Sequence, residues 1–136
     1  MVSAGPESEK LKFLECAEYF AKTSLPLFAT SGTADYLEKH GFKVTRLAWP
    51  GEAKGGMDVI RAIKEGLVDL VINVPKALQS QELSYGAQIR RAAVQFGCSL
   101  LTNMEATIAF SQALARMPDF AQVHEVLPLP AYRSQA

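Results

Sequence analysis

The chain has 136 residues, 14 of them basic and 14 acidic, so its formal net charge at pH 7 is zero. That balance argues against the basic footprint of a nucleic-acid binder or a polybasic membrane patch. With 49% hydrophobic and 21% charged residues, and no apolar run near the ~20 residues of a bilayer span, the expectation is one globular domain over residues 1–136 with its own core.

Residues 2–5 read as a short first strand. Residues 8 to about 22 predict a helix, because Leu11, Leu14, Cys16, Ala17, Phe20 and Ala21 recur at three- and four-residue spacing, with Ser8 as N-cap. An apolar strand at 25–29 then runs straight into Thr30-Ser31-Gly32-Thr33. A helix over 34–40 follows, closed by Gly41, and a strand over 43–49. Residues 50–57 form a Gly-rich loop, 58–65 a helix, and 68–74 the most apolar and β-branched run, expected as the central strand. A helix at 85–96, a strand at 99–101, a helix at 104–116 and a last strand at 123–127 complete the pattern, with a short tail from about 128. Strands alternating with helices through short loops predict a three-layer αβα fold around a five-stranded, mainly parallel sheet.

In such a sheet ligands gather outside the carboxyl ends of the strands. Thr30, Ser31, Gly32 and Thr33 stand at the end of the second strand, Trp49 and Pro50 at the third, Asn73 at the fourth, and Thr102 and Asn103 at the fifth. Taken singly, Thr33 caps the next helix, Asn73 closes a turn and Trp49 seals the core. Taken together they outline a pocket for a carboxylate or phosphate, aided by a helix N-terminus. Lys54, in the loop from Gly51 to Gly56, resembles a phosphate loop only loosely, without the Walker spacing. Arg90 and Arg91 either reach this crevice or solvate their helix. Cys16 and Cys98 are far apart and lack ligand spacing, so both are expected as buried free thiols in a reducing compartment. No metal-binding set is present, no cofactor is called for, and His40 and His124 lie away from the strand ends.

The stretches "LFATSGTADYLEKHGFKVT", "LAWPGE", "IKEGLVDLVINVP" and "IRRAAVQFGCSLLTN" together make the chain resemble a methylglyoxal synthase-like domain over nearly its whole length. Two branches of that family compete. Methylglyoxal synthase itself releases phosphate from dihydroxyacetone phosphate and needs a carboxylate base in a Gly-Gly-Asp loop, a second aspartate after the fourth strand and a nearby histidine. Here the first position falls on Gly56, with Asp58 displaced, and the second reads Asn73-Val74-Pro75-Lys76. The resemblance therefore favours the other branch, the carboxyl-terminal regulatory domain of the large carbamoyl phosphate synthetase chain, with no catalysis of its own.

Within that branch "VINVP", "IRRAAV" and "LLTN" are most similar to the ammonia-type synthetase, whose activator is N-acetyl-L-glutamate. The resemblance implies an effector pocket at Thr30, Thr33, Trp49 and Asn73. Two further asparagines of that pocket become Lys76 and a position near Gly86. Lys76 would pair with a carboxylate or select a phosphate. The glutamine-dependent bacterial type binds UMP and IMP in the same crevice, and its phosphate-facing lysine matches Lys10, with Lys12 in a shifted register and Lys54 near a second lysine. The implied partners are a small anionic effector and the catalytic domains of the parent synthetase. The implied setting is pyrimidine, arginine or urea-cycle metabolism, in the mitochondrial matrix for the ammonia type and the cytoplasm otherwise.

Overall fold

Each strand of the chain hands over to a helix, and the topology follows from that alternation. The structure, a computed structural model, describes residues 1–23, 25–75 and 80–117, with backbone only at 80–83. Its elements are β1 (Val2–Ala4), α1 (Glu7–Lys22), β2 (Phe28–Thr30), α2 (Ser31–Lys39), β3 (Thr45–Leu47), α3 (Val59–Lys64), β4 (Leu70–Val74), α4 (Ser80–Gln95), β5 (Ser99–Leu101) and α5 (Met104–Arg116). The five strands form one parallel sheet in the order β3-β2-β1-β4-β5. The chain steps outward from β1 to β3, then crosses back to β4. Right-handed crossovers on either side of that reversal put their helices on opposite faces.

The packing shows this division. Phe13, Cys16, Ala17 and Phe20 of α1, Ala34 and Leu37 of α2, and Met104 and Leu114 of α5 close over Val2, Ala4, Ala29 and Ile72. Val59, Ala62 and Ile63 of α3 and Ile89, Ala92 and Ala93 of α4 cover the other face with Leu47 and Val71. The expected three-layer αβα architecture is present, and every strand pair is parallel.

Local boundaries differ from expectation in instructive places. Helix α1 starts at Glu7 behind an N-cap at Pro6 (φ −68°, ψ 147°) with no side-chain cap bond, so Ser8 is an exposed first-turn residue and not the cap. Proline's fixed φ already sets the entry. The buried stripe of α1 is Phe13, Cys16, Ala17 and Phe20, while Leu11, expected inside, is 61% exposed. Helix α2 starts directly from β2, three residues earlier than its apolar pattern suggested, and α4 starts at Ser80. Helix α2 ends where expected: Gly41 takes φ +85°, a left-handed conformation open to glycine at little cost. The expected strand at 123–127, the tail, His124 and Lys76 lie outside the described residues.

Candidate functional site

All five strands point their carboxyl ends to one edge of the sheet, and the reversal in strand order falls between β1 and β4. Register decides which side chains meet there. Ser3 is paired with Asn73 across β1 and β4, and Val2 with Ala29 across β1 and β2, which brings Ser3 beside Thr30. The Thr30 hydroxyl donates to Ser3 Oγ at 3.2 Å. Because Val2, Ala29 and Ile72 face α1, α2 and α5, alternation sends Thr30, Ser3 and Asn73 to the α3–α4 face. Three polar side chains thus lie in a row across β2, β1 and β4, with relative exposures of 1%, 5% and 3%. A polar row this deep is costly unless its groups find partners.

Contrary to the expectation from the sequence, Thr33 does not cap α2. It lies inside the first turn, buried, and its Oγ1 accepts from the Ala4 N–H at 3.1 Å and donates to the Ala4 carbonyl at 3.3 Å. The N-cap of α2 is Thr30, whose hydroxyl is turned to Ser3 and makes no cap bond. The two threonines therefore tie the β2–α2 corner to β1. Ser31 and Gly32 remain exposed at the start of the helix.

The structure also separates the two candidate lysines. The Lys10 ammonium stands over the α2 corner, 3.6 Å from where a Cβ on Gly32 would sit. Lys12 instead binds Glu9 at 2.9 Å and Glu105 at 3.4 Å. The hydrogen bonds that Lys12 donates to Glu9 and Glu105 hold its ammonium above its usual range. Lys12 is thus engaged on the outer face of α1 and α5, while Lys10 stands at the start of α2.

On the other side of β1, Arg90 of α4 donates from Nη1 to Asn73 Oδ1 at 2.5 Å. This resolves the two arginines: Arg90 reaches the crevice, and Arg91 is exposed. Gly86, one turn before Arg90, makes room for the pair, since a Cβ there would come within 3.0 Å of Arg90 Nη1 and 3.3 Å of Asn73 Oδ1. Trp49 is half-buried and stacks on Tyr85 with ring centroids 5.5 Å apart at 20°. The Tyr85 hydroxyl donates to Glu52 Oε1 at 2.8 Å, fastening α4 to the loop after β3.

Other strand-end residues are occupied elsewhere. Asn103 Oδ1 accepts from the Ala106 N–H at 2.7 Å and caps α5. Lys54 is exposed in its loop. Asp58 is the N-cap of α3: Oδ1 accepts from the Arg61 N–H at 2.8 Å and Oδ2 from the Gly51 N–H at 3.2 Å. Cys16 and Cys98 are free thiols, buried and half-buried respectively, and burial pushes both thiols above their ordinary range. An apolar cavity of about 310 Å³ lies at the opposite edge, lined by Leu25, Phe28, Leu67, Leu100 and Phe110 among others. Its walls lack the convergent polar groups an anion requires.

Ser3 was not foreseen, nor was the pairing of Tyr85 with Trp49. Ser3 had a legible signal: it is the single hydroxyl inside an otherwise apolar first strand. Tyr85 had none, because its partners lie 36 and 33 positions earlier in the chain, Trp49 and Glu52.

Comparison with known proteins bears on this arrangement. A family model described as MGS-like domain matches residues 12–102. The mitochondrial carbamoyl-phosphate synthase [ammonia] of Rattus norvegicus is 34% identical over 113 residues, 81% of this chain and 8% of that protein. The carbamoyl phosphate synthase large chain, C-terminal section, of Aquifex aeolicus is 36% identical over 108 residues, 79% of this chain and 19% of that one. Multifunctional protein pyr1-3 of Dictyostelium discoideum is 33% identical over 121 residues, 86% of this chain and 5% of that protein. The chain thus spans between 5% and 19% of these relatives.

Proposed function

This chain belongs to the MGS-like domain family, and from that premise we propose that it is the effector-binding regulatory domain of a carbamoyl phosphate synthetase, with residues 1–136 forming one such domain. It binds a small anion, N-acetyl-L-glutamate in the first instance, and biases the conformation of the catalytic parts of that enzyme. What carries the reading is the buried polar row Thr30–Ser3–Asn73 at the strand-order reversal, flanked by the Lys10 ammonium on one side and the Arg90 guanidinium on the other. The Arg90 guanidinium at this row and the Lys10 ammonium at the adjoining helix start each favour a negatively charged ligand.

The effector-domain reading is favoured over turnover by the state of Asp58. A general base must be able to reach the proton it removes, and both Asp58 oxygens accept backbone N–H groups in capping α3. Regulation requires that the ligand bind one conformation better than another, and a coupling of ~1–3 kcal/mol is ordinary. Trp49 and Tyr85 offer the flat wall for an acyl group. A nucleotide reading, with UMP or IMP, is supported specifically by the Lys10 ammonium standing over Gly32 at the start of α2.

The test is a thermal unfolding series of the 136-residue chain with N-acetyl-L-glutamate, UMP, IMP and dihydroxyacetone phosphate. At ~100 times its dissociation constant a ligand stabilises the fold by ~2.7 kcal/mol. A raised midpoint with N-acetyl-L-glutamate is expected. A rise with nucleotides alone reassigns the effector, and release of phosphate from dihydroxyacetone phosphate overturns the regulatory reading.

A further inference from the structure

The apolar cavity of about 310 Å³ at the amino edge of the sheet lies away from the effector crevice and has no role in it. Leu25, Phe28, Leu67 and Leu100 line it, with Phe110 and Leu114 of α5 one turn apart on its wall. Leu67 and Phe110 remain 46% and 41% exposed. A concave patch of large apolar side chains is costly in water and marks a place where something packs. The chain itself leaves α5 beside this cavity. Met117, the C-cap of α5, takes φ −77° and ψ 121° and packs against the core on the α1 side. Pro118 enforces that exit, because the residue before a proline avoids the helical region.

Residues 118–136 lie outside the described residues, and their sequence is not that of a polar tail. Phe120, Val123, Val126, Leu127 and Leu129 fall within the one stretch 120–129. Phe120 is three residues beyond Met117, a reach of about 10 Å in extended chain. A segment tethered so closely meets the cavity at an effective concentration on the order of millimolar. The other place open to it is the outer edge of β5, which among the described residues pairs only with β4. Handedness disfavours that edge. Helix α5 lies on the α1 face, and on that face the crossovers run from β1 toward β2 and β3. A parallel strand laid outside β5 after α5 would need the opposite, left-handed sense. We infer that residues 120–129 cross the amino edge and seat Phe120 in the cavity against Phe110, Leu67 and Leu100, closing the core on the side away from the crevice. The occupant is the chain's own segment, not a second copy and not an apolar ligand.

The test combines nuclear Overhauser spectroscopy with a double-mutant cycle on the full 136-residue chain. Contacts from the Phe120 ring to the methyl groups of Leu67 and Leu100 are expected in the unsubstituted protein. Phe120→Ala should lower the unfolding midpoint by roughly 5–10 °C, the scale of uncovering one phenylalanine side chain. Phe110→Ala should blunt that loss, because substitutions of touching residues do not add. Leu11→Ala, at an exposed site on α1, should leave the loss unchanged. Where Phe120→Ala fails to fold, the ring contacts of the unsubstituted chain decide. Absence of those contacts overturns the inference, as does full additivity of Phe120→Ala with Phe110→Ala. Amide contacts between residues 123–127 and 99–101 overturn it in favour of a sixth strand beside β5. Intermolecular contacts to Phe110 in an isotope-mixed sample overturn it in favour of a second copy. Binding of 8-anilinonaphthalene-1-sulfonate as tight in the unsubstituted chain as in Phe120→Ala leaves the cavity open to apolar ligands and overturns it as well.

Discussion

Replacing Thr33 by valine tests whether its hydroxyl belongs to the fold or to the ligand. Valine keeps the branched shape and exchanges the hydroxyl for a methyl group. In the structure the β1–β2 ladder consists of the single pair Val2–Ala29, and beyond it the Ala4 N–H is accepted by Thr33 Oγ1 at 3.1 Å. Thr33 is buried, so water does not take over when the hydroxyl is gone. Leaving a buried donor without its partner costs about 1–3 kcal/mol. For a chain of 136 residues at ~2.1 cal/mol/K of unfolding entropy per residue, each kcal/mol moves the midpoint by ~3.5 °C. Thr33→Val should therefore lower the unfolding midpoint by roughly 3–10 °C without ligand, and Thr33→Ser should recover most of the loss. Thermal unfolding followed by far-UV circular dichroism measures both. A valine variant as stable as the parent but deficient in effector binding would refute the structural role and return the hydroxyl to the ligand.

Asp58→Ala should destabilise the chain by ~1–2 kcal/mol in urea unfolding, the cost of a helix N-cap; loss of a dihydroxyacetone phosphate turnover in that variant would instead expose a catalytic carboxylate. Asn103→Ala should cost ~0.5–2 kcal/mol through the α5 cap, and Asn103→Ser should restore much of it. Burial holds the Cys16 thiol above its ordinary range, so the fold favours the protonated form. Its stabilising contribution is complete below the ordinary thiol pKa of ~8.5 and is lost as pH rises through the raised folded value. Parent stability should therefore fall on the alkaline side more steeply than that of Cys16→Ala, and native alkylation of Cys16 at pH 8 should lag far behind that in denaturant.

The architecture was legible because it is written in local patterns. Alternating apolar segments and glycine-terminated helices gave the strand and helix order, and the carboxyl-edge rule put Thr30, Trp49 and Asn73 at one edge of the sheet, where the strand ends lie. What escaped depends on distant partners. Thr33 reads as a cap because helical periodicity becomes visible only at Ala34, while Ser31 and Gly32 are weak helix formers. Its actual partner, Ala4, is 29 residues away. Arg90 could not be told from Arg91 by sequence, since the choice is a matter of helix phase against a strand 17 residues earlier. Leu11 was read as core because one apolar residue too many fitted the stripe; Phe13 fills that place in α1.

The satisfied threonines change where ligand selectivity must come from. An effector that engaged Thr30 or Thr33 would have to replace the bonds these hydroxyls already make to Ser3 and Ala4. Such an exchange of one hydrogen bond for another gives little net free energy. Among the described residues, the Lys10 ammonium and the exposed start of α2 are the crevice donors not engaged in such bonds, so a ligand gains most there. The crevice is also tied to α4. Arg90 and Tyr85 belong to α4, and Tyr85 is held by Glu52 and Trp49 of the β3–α3 segment. A ligand moves an equilibrium only by its differential affinity for two states, so an effector acting here would have to bind one seating of α4 better than another.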